Sequence, residues 1–151
     1  MNLLNEAMKT YQNGKYNKQR NKHMDGFHIA VKDFLKTTVL KLKKDFNIKE
    51  NSYRTKNWDL SIWKGEMLKA AIEIKSLHKS AEKNINNRIE EAAGCSLLLR
   101  NSDHYPNVKV GYLFVGDSLK KTTKKKLIDF FNDCEANKWY DAVCCILVEP
   151  N

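Results

Sequence analysis

Residues 58–76, which read WDLSIWKGEMLKAAIEIKS, decide how this chain folds. Residues 58–63 alternate in polarity, and residues 67–75 form a second, more apolar run of strand-forming side chains. Gly65 lies between the two runs in a short polar turn. Two such runs joined by a glycine-containing turn predict a β-hairpin.

The predicted hairpin carries Asp59, Glu73 and Lys75 within its apolar strands. A buried carboxylate is costly unless it is paired or meets a cation. Residues two apart in a strand face the same side, so Glu73 and Lys75 point together, and the turn brings Asp59 to the same end. Two adjacent carboxylates favour a bound cation, and their hard oxygen atoms favour Mg²⁺. The alternative is an exposed hairpin end with a Glu–Lys surface pair.

Apolar side chains at three- and four-residue spacing predict two helices around the hairpin. The first begins at Asp25 and ends near residue 46, with an apolar stripe of Phe27, Ala30, Val31, Phe34, Leu35, Val39 and Leu42. The second covers residues 85–100, with one face formed by Ile85, Ile89, Ala92, Ala93 and Leu97.

The C-terminal half predicts two further strands and one more helix. Residues 108–115 and 142–148 are rich in strand-forming side chains, and a helix capped by Ser118 lies between them and ends near Cys134. The order helix, hairpin, helix, strand, helix, strand predicts an α/β fold: a mixed sheet flanked by helices.

The charge of the chain favours a polyanionic partner. Its 151 residues include 27 basic and 18 acidic side chains, which gives a net charge of +9. The lysines and arginines crowd into residues 15–22, 41–44 and 120–126. Such a field suits nucleic acid or an anionic membrane surface, although a solvated lysine-rich surface has the same composition.

Two further features exclude a membrane-spanning class and indicate a compartment. No apolar run approaches the roughly 20 residues of a membrane span, and the N-terminus has no signal-peptide core. The four cysteines include no CxxC pair, so we expect reduced thiols in a cytoplasmic protein. Of the two polyanionic partners, we expect nucleic acid and no membrane.

Beyond these patterns, the chain resembles a known enzyme family. The order of its elements, namely helix, hairpin with Asp and Glu-x-Lys, helix and strand, resembles that of the PD-(D/E)xK nuclease superfamily. Five segments in order resemble motifs of the XhoI-type type II restriction endonucleases: KHMDGF (22–27), YRTKNWDL (53–60), AAIEIKS (70–76), NINNRIEEAAG (84–94) and YDAVCCIL (140–147). The resemblance implies a polar N-terminal segment (1–22) and a single nuclease domain (23–151) with a PD-(D/E)xK restriction-endonuclease-like core.

The resemblance implies a function as a sequence-specific double-stranded DNA endonuclease that hydrolyses phosphodiester bonds with Mg²⁺. By it, Asp59 and Glu73 hold the metal, and Lys75 orients or helps deprotonate the attacking water. Asp25 falls where the superfamily often places another acid near the metal; its alternative role is a helix N-cap. A palindromic target, with the family's CTCGAG the first to try, implies a homodimer.

The resemblance and the side-chain chemistry also suggest the residues that contact DNA. Asn86, Asn87 and Arg88 are candidates for reading base edges, because Asn can bond adenine and Arg guanine in two places. The alternative is that both asparagines face solvent and that Arg88 pairs with Glu91 at i+3. We expect phosphate contacts from Lys56, Lys79 and Lys83.

Two departures from the family pattern affect these expectations. Residues 76–85, SLHKSAEKNI, lack the glycine and proline that family members carry here, so another target sequence is an open alternative. The chain ends at Asn151, whereas family members continue past the last strand, which predicts a minimal or truncated form. Two rival functions are a catalytically inactive DNA-binding remnant and a non-catalytic basic interaction domain.

Overall fold

A computed structural model describes residues 25–26, 29, 33, 40–77, 81–117 and 119–148. The elements are β1 (Lys41–Lys49), β2 (Thr55–Lys64), β3 (Met67–Leu77), α1 (Ala81–Arg100), β4 (Lys109–Asp117), α2 (Lys121–Ala136) and β5 (Ala142–Val148). The five strands form one sheet in chain order. The pairs β1–β2 and β2–β3 are antiparallel, and β3–β4 and β4–β5 are parallel. The predicted α/β fold with a mixed sheet is confirmed.

The β2–β3 hairpin has the register predicted by its sequence. Lys64 pairs with Met67 across a two-residue loop, and Gly65 at the first loop position has a φ of +58°. A positive φ there suits a type II′ turn, which glycine adopts without steric cost. The ladder continues to the pair of Leu60 and Ile72, so Asp59 and Glu73 follow at the same open end.

The main core lies where the helices cover the sheet, since each helix connects two parallel strands. The sheet contributes large buried side chains, among them Trp58, Tyr112 and Phe114. The buried helical side chains that pack with them are Ile85, Ala92, Cys95 and Leu99 of α1, and Leu127, Phe130 and Cys134 of α2. This packing fixes α1 against the sheet, so the N-terminal half of α1 has a defined position relative to β3.

Asp141, at the start of β5, connects this strand to α1 and β4 by hydrogen bonds. Its carboxylate accepts hydrogen bonds from the Val110 N–H of β4 at 2.8 Å, from Arg100 of α1 at 2.6 Å and from Lys109 at 2.9 Å. The backbone N–H of Asp141 also donates to the Val110 carbonyl. These bonds lower the pKa of Asp141 against the effect of its partial burial.

The predicted helix from Asp25 to residue 46 is wrong in its second part. Asp25, Gly26, Ile29 and Asp33 are helical, but residues 41–49 form β1 at the edge of the sheet. The side chains of Leu42 and Phe46 are four residues apart, which fits one face of a helix and also one face of a strand. Most of the predicted stripe lies outside the described residues, as do residues 1–22 and their cluster of basic side chains.

Two smaller predictions about the helices also need correction. Leu97, assigned to the buried face of α1, is 46% exposed, and Cys95 and Leu99 are buried instead. The N-cap of α2 is Lys120, which makes no side-chain capping bond, rather than Ser118, which lies outside the described residues. The remaining predicted strands agree with β4 and β5 to within two residues.

No helix within the described part of the chain is long and apolar enough to cross a membrane. All four cysteines fall in that part, and all are free thiols.

Candidate active site

Asp59 lies at the point where the β2–β3 ladder ends. Its Oδ2 atom accepts a hydrogen bond of 2.7 Å from the backbone N–H of Ile74. A side-chain carboxylate thus takes the place that a backbone carbonyl would have in a continued ladder. Asp59 is therefore held between the two strands of the hairpin, beside the Glu73–Lys75 segment.

Glu73 is almost completely buried, with 1% of its surface exposed. Its Oε1 atom makes ion pairs with Lys75, two residues along β3, and with Lys56 of β2 at 3.2 Å. The expectation that Glu73 and Lys75 point together is met. The alternative of an exposed surface pair does not apply, because Glu73 belongs to the interior of the protein.

Burial disfavours the charged forms of all three side chains in this cluster, Asp59, Glu73 and Lys75. Burial raises the pKa of Asp59, against the opposing effects of the Ile74 N–H and of Lys75. Burial, followed by the charge of Asp59, also raises the pKa of Glu73. Burial alone would lower the pKa of Lys75, but the carboxylates of Glu73 and Glu91 raise it, so Lys75 is an ammonium at neutral pH.

The carboxylates of this cluster fit a divalent cation with few protein ligands. Among the residues that the structure describes, none donates a hydrogen bond to the buried Oε2 of Glu73, and no three acidic, His or Cys side chains form a metal-binding group. Mg²⁺ is commonly held by one or two carboxylates, with water and substrate phosphate completing its shell. Asp59 and Glu73 supply such a pair, and their mutual repulsion favours a cation.

Asp25 is the third candidate metal ligand. Its carboxylate makes an ion pair with Lys44 of β1, and both side chains are well exposed. The structure does not bring Asp25 into a metal-binding group with the acids of the hairpin.

The candidate base-reading residues lie on the first turns of α1. Asn86 and Asn87 are exposed, and Asn86 accepts a hydrogen bond from Lys126 of α2 at 3.0 Å. Arg88 donates to Oε2 of Glu91 at 2.8 Å, which is the i+3 pair given as its alternative role. Lys79 lies outside the described residues, and Lys83 is placed only by its backbone in α1.

Lys56, a candidate phosphate contact, lies within the cluster around Glu73. Only 12% of its side chain is exposed, and its ammonium lies against Glu73 and 5.4 Å from the Trp58 ring. The sequence did not predict this position of Lys56. Lys56 and Asp59 are three residues apart, and alternation in a strand would place them on opposite faces.

The sequence did not predict that two further acids, Glu91 and Glu50, lie beside the cluster. Glu91 of α1 lies 3.6 Å from the ammonium of Lys75, a contact between two elements that local spacing does not reveal. Glu50 directly follows β1 and is fully buried; it accepts a hydrogen bond from the Trp58 indole at 3.1 Å and pairs with Arg54 at 3.0 Å.

Comparison with known proteins identifies the family. The family model described as restriction endonuclease XhoI matches residues 5–149. No curated protein and no solved structure matches the chain. The family match covers the hairpin with Asp59, Glu73 and Lys75 and the helix with Arg88. Because it extends over nearly the whole chain, the protein belongs to the XhoI family of restriction endonucleases, which are nucleases that act on DNA.

Proposed function

We propose that this protein is a type II restriction endonuclease that cuts double-stranded DNA at a specific sequence with Mg²⁺. The observation that carries the proposal is the convergence of Asp59, Glu73 and Lys75 at the open end of a buried hairpin. Two acids with raised pKa values beside an ammonium are unfavourable for stability, which is typical of a functional site.

Each member of the cluster has a distinct role in the proposed reaction. Asp59 and Glu73 would hold Mg²⁺, which supplies positive charge at the phosphate and lowers the pKa of water. Lys75 would orient the attacking water or help to deprotonate it, and its positive charge would stabilise the charge that develops on the phosphate. The Ile74 N–H keeps the Asp59 carboxylate in place while the water attacks phosphorus and a P–O bond breaks.

The DNA-binding part of the proposal uses both helices. Asn86, Asn87 and Arg88 would read base edges, and Lys79 and Lys83 would contact phosphates. The exposed lysines at the start of α2 extend the basic surface, because Lys126 contacts Asn86. Lys56 is assigned a different role: its ammonium balances the buried charge of Glu73. A homodimer would present two such sites to the two strands of a palindrome.

The first test is cleavage of a supercoiled plasmid that contains CTCGAG, with Mg²⁺ and with EDTA. We expect discrete fragments that require Mg²⁺, because specific cutting gives defined ends. A smear would contradict sequence-specific cutting. If plasmids of varied sequence all remained intact in Mg²⁺, endonuclease activity would be contradicted. Sedimentation on specific DNA tests the dimer, and a monomer there would contradict it.

The readout residues have their own test, which uses binding rather than cleavage. Arg88→Ala should weaken specific binding in Ca²⁺ and flatten the preference among sites, because a bidentate arginine–guanine pair discriminates by about 1–3 kcal/mol. Lys79→Ala and Lys83→Ala should weaken binding to all sequences and reduce the salt slope by about one unit each. An Arg88→Ala protein with full site preference and a shallower salt dependence would identify Arg88 as a phosphate contact.

A second candidate function is a DNA-binding protein that does not cut. One observation favours it: both Lys75 and Lys56 already pair with Glu73, the carboxylate that would hold the cation. Mobility shifts in Ca²⁺ without cleavage in Mg²⁺ would support this alternative. Absence of both would support a basic interaction domain.

A further inference from the structure

Glu91 connects the candidate catalytic lysine to the candidate base-reading arginine. Its Oε1 atom lies 3.6 Å from Nζ of Lys75, and its Oε2 atom accepts a hydrogen bond of 2.8 Å from Nη1 of Arg88. Lys75 in turn pairs with Glu73. Four side chains of alternating charge therefore form one continuous chain of ion pairs from the buried hairpin to the first turns of α1.

This arrangement creates a conflict at Glu73 in the free protein. The Oε1 atom of Glu73 is neutralised by two ammonium groups, those of Lys75 and Lys56. A divalent cation at the same carboxylate would be repelled by both, because like charges a few ångströms apart in a poorly solvated site interact strongly. Cation binding at Glu73 therefore becomes easier if Lys75 moves toward its other ion-pair partner, Glu91.

Glu91 has two cationic partners while Arg88 remains bound to it. Its carboxylate shares its charge between the guanidinium of Arg88, at hydrogen-bonding distance, and the more distant ammonium of Lys75. If Arg88 leaves to contact DNA, the half-buried Glu91 loses its nearer cation. Because a buried charge without a partner is unfavourable, its attraction for Lys75 then increases.

We propose that Glu91 is a positioning residue that acts as an ion-pair switch between DNA reading and cation binding. Release of Arg88 to a base edge lets Glu91 draw Lys75 away from Glu73, and Glu73 then keeps one ammonium partner, Lys56, instead of two, which favours binding of the cation. This proposal rests on the proposed function for its DNA step. The ion-pair step is a property of the free protein and can be measured without DNA.

The first experiment measures Mn²⁺ binding to the DNA-free protein by calorimetry, with the variants Arg88→Ala, Glu91→Gln and both together. We expect Arg88→Ala to tighten Mn²⁺ binding by about tenfold, within the 5- to 150-fold range of typical couplings between sites. In the Glu91→Gln background the same change should have little effect. Lys124→Ala, which also removes one cation but from the exposed surface of α2, is the control for a general charge effect.

Three outcomes of Mn²⁺ binding measurements would overturn the switch. If Arg88→Ala tightened Mn²⁺ binding equally with Glu91 and with Gln at position 91, the effect would be long-range electrostatics alone. If it still did so in a Lys75→Met protein, Glu91 would ligate the cation directly instead of moving Lys75. Unchanged Mn²⁺ affinity in Arg88→Ala would also contradict the proposal.

The second experiment tests the DNA step with a matched pair of variants. Glu91→Gln should slow cleavage about tenfold or more, yet leave specific binding in Ca²⁺ as tight or tighter, because Arg88 is released. Glu90→Gln, the same change at the exposed neighbouring position, should behave as wild type. Equal cleavage by the two variants would refute the switch. Absence of cleavage by the wild type would instead refute the proposed function, and the Mn²⁺ cycle would still decide the ion-pair step.

Discussion

The strand that carries Asp59 should depend on a buried hydrogen bond made by the preceding residue. The Trp58 indole donates to Glu50 at 3.1 Å, and neither side chain has measurable exposure. Trp58→Phe removes this donor from a carboxylate whose ion-pair partner is Arg54. A hydrogen bond to a charged group contributes about 1.5–3 kcal/mol to stability.

Trp63→Phe is the matched control, because Trp63 lies in the same strand, is also buried and loses the same ring volume. Its indole donates to the neutral hydroxyl of Ser61 at 2.8 Å, a bond of about 0.5–1.5 kcal/mol. Trp58→Phe should therefore lower the free energy of unfolding by about 1–2 kcal/mol more than Trp63→Phe. For a protein of this size, each kcal/mol corresponds to a Tm decrease of about 2–4 °C.

Urea and thermal unfolding at several pH values complete the test. Burial raises the pKa of Glu50, and loss of a donor to its ionised form raises that pKa further. The extra cost of Trp58→Phe should thus be largest at neutral pH and should shrink as Glu50 becomes protonated at lower pH. Equal destabilisation by the two variants at neutral pH would refute the reasoning, since Glu50 would then not depend on Trp58.

Three further variants test the site and its frame. Glu73→Gln should raise Tm at neutral pH, because burial and the charge of Asp59 disfavour the ionised form of Glu73. The gain in Tm should shrink as the pH falls through the raised pKa of Glu73. A lower Tm at neutral pH would contradict this reasoning. Asp141→Ala should cost about 1–2 kcal/mol in unfolding free energy, discounted for exposure. That loss should disappear at acid pH, once the pH falls below the lowered pKa of Asp141 and its carboxylate becomes protonated. Gly65→Ala should cost about 1 kcal/mol in denaturant unfolding because of the positive φ, and no loss would contradict the turn.

The hairpin and the parallel half of the sheet were predictable from sequence because their signals are local. Alternation over residues 58–63 and a glycine in the turn determine both the register and the end at which Asp59 and Glu73 meet. The strand at residues 142–148 has no competing helical pattern. Local signals of this kind agree with the tertiary structure, so they were sufficient.

The edge strand β1 was not predictable in the same way. Its apolar side chains Leu42, Phe46 and Ile48 are separated by polar and charged residues, and their spacing fits more than one period. Asp45 adopts a φ of +48° within the strand, which interrupts a regular alternation. Pairing with β2 decides the conformation of this segment, and that pairing is a tertiary contact.

The site was predicted only as far as single strands could define it. The Asp59, Glu73 and Lys75 group follows from the hairpin, whereas the contacts of Lys75 with Glu91 and of Glu73 with Lys56 depend on packing. A long lysine side chain can reach across a sheet, so residue type and spacing did not distinguish a phosphate contact from a buried counter-charge.

Asp59 and Glu73 form the proposed cation-dependent cutting centre, and cleavage kinetics of Asp59→Asn test this role most directly. Asp45→Asn is the control, because Asp45 is an exposed neighbouring acid and asparagine tolerates its positive φ. We predict that Asp59→Asn loses cleavage in Mg²⁺ by about 100-fold or more and keeps specific binding in Ca²⁺, while Asp45→Asn cuts as wild type. An Asp59→Asn protein that cuts at the wild-type rate would contradict the account.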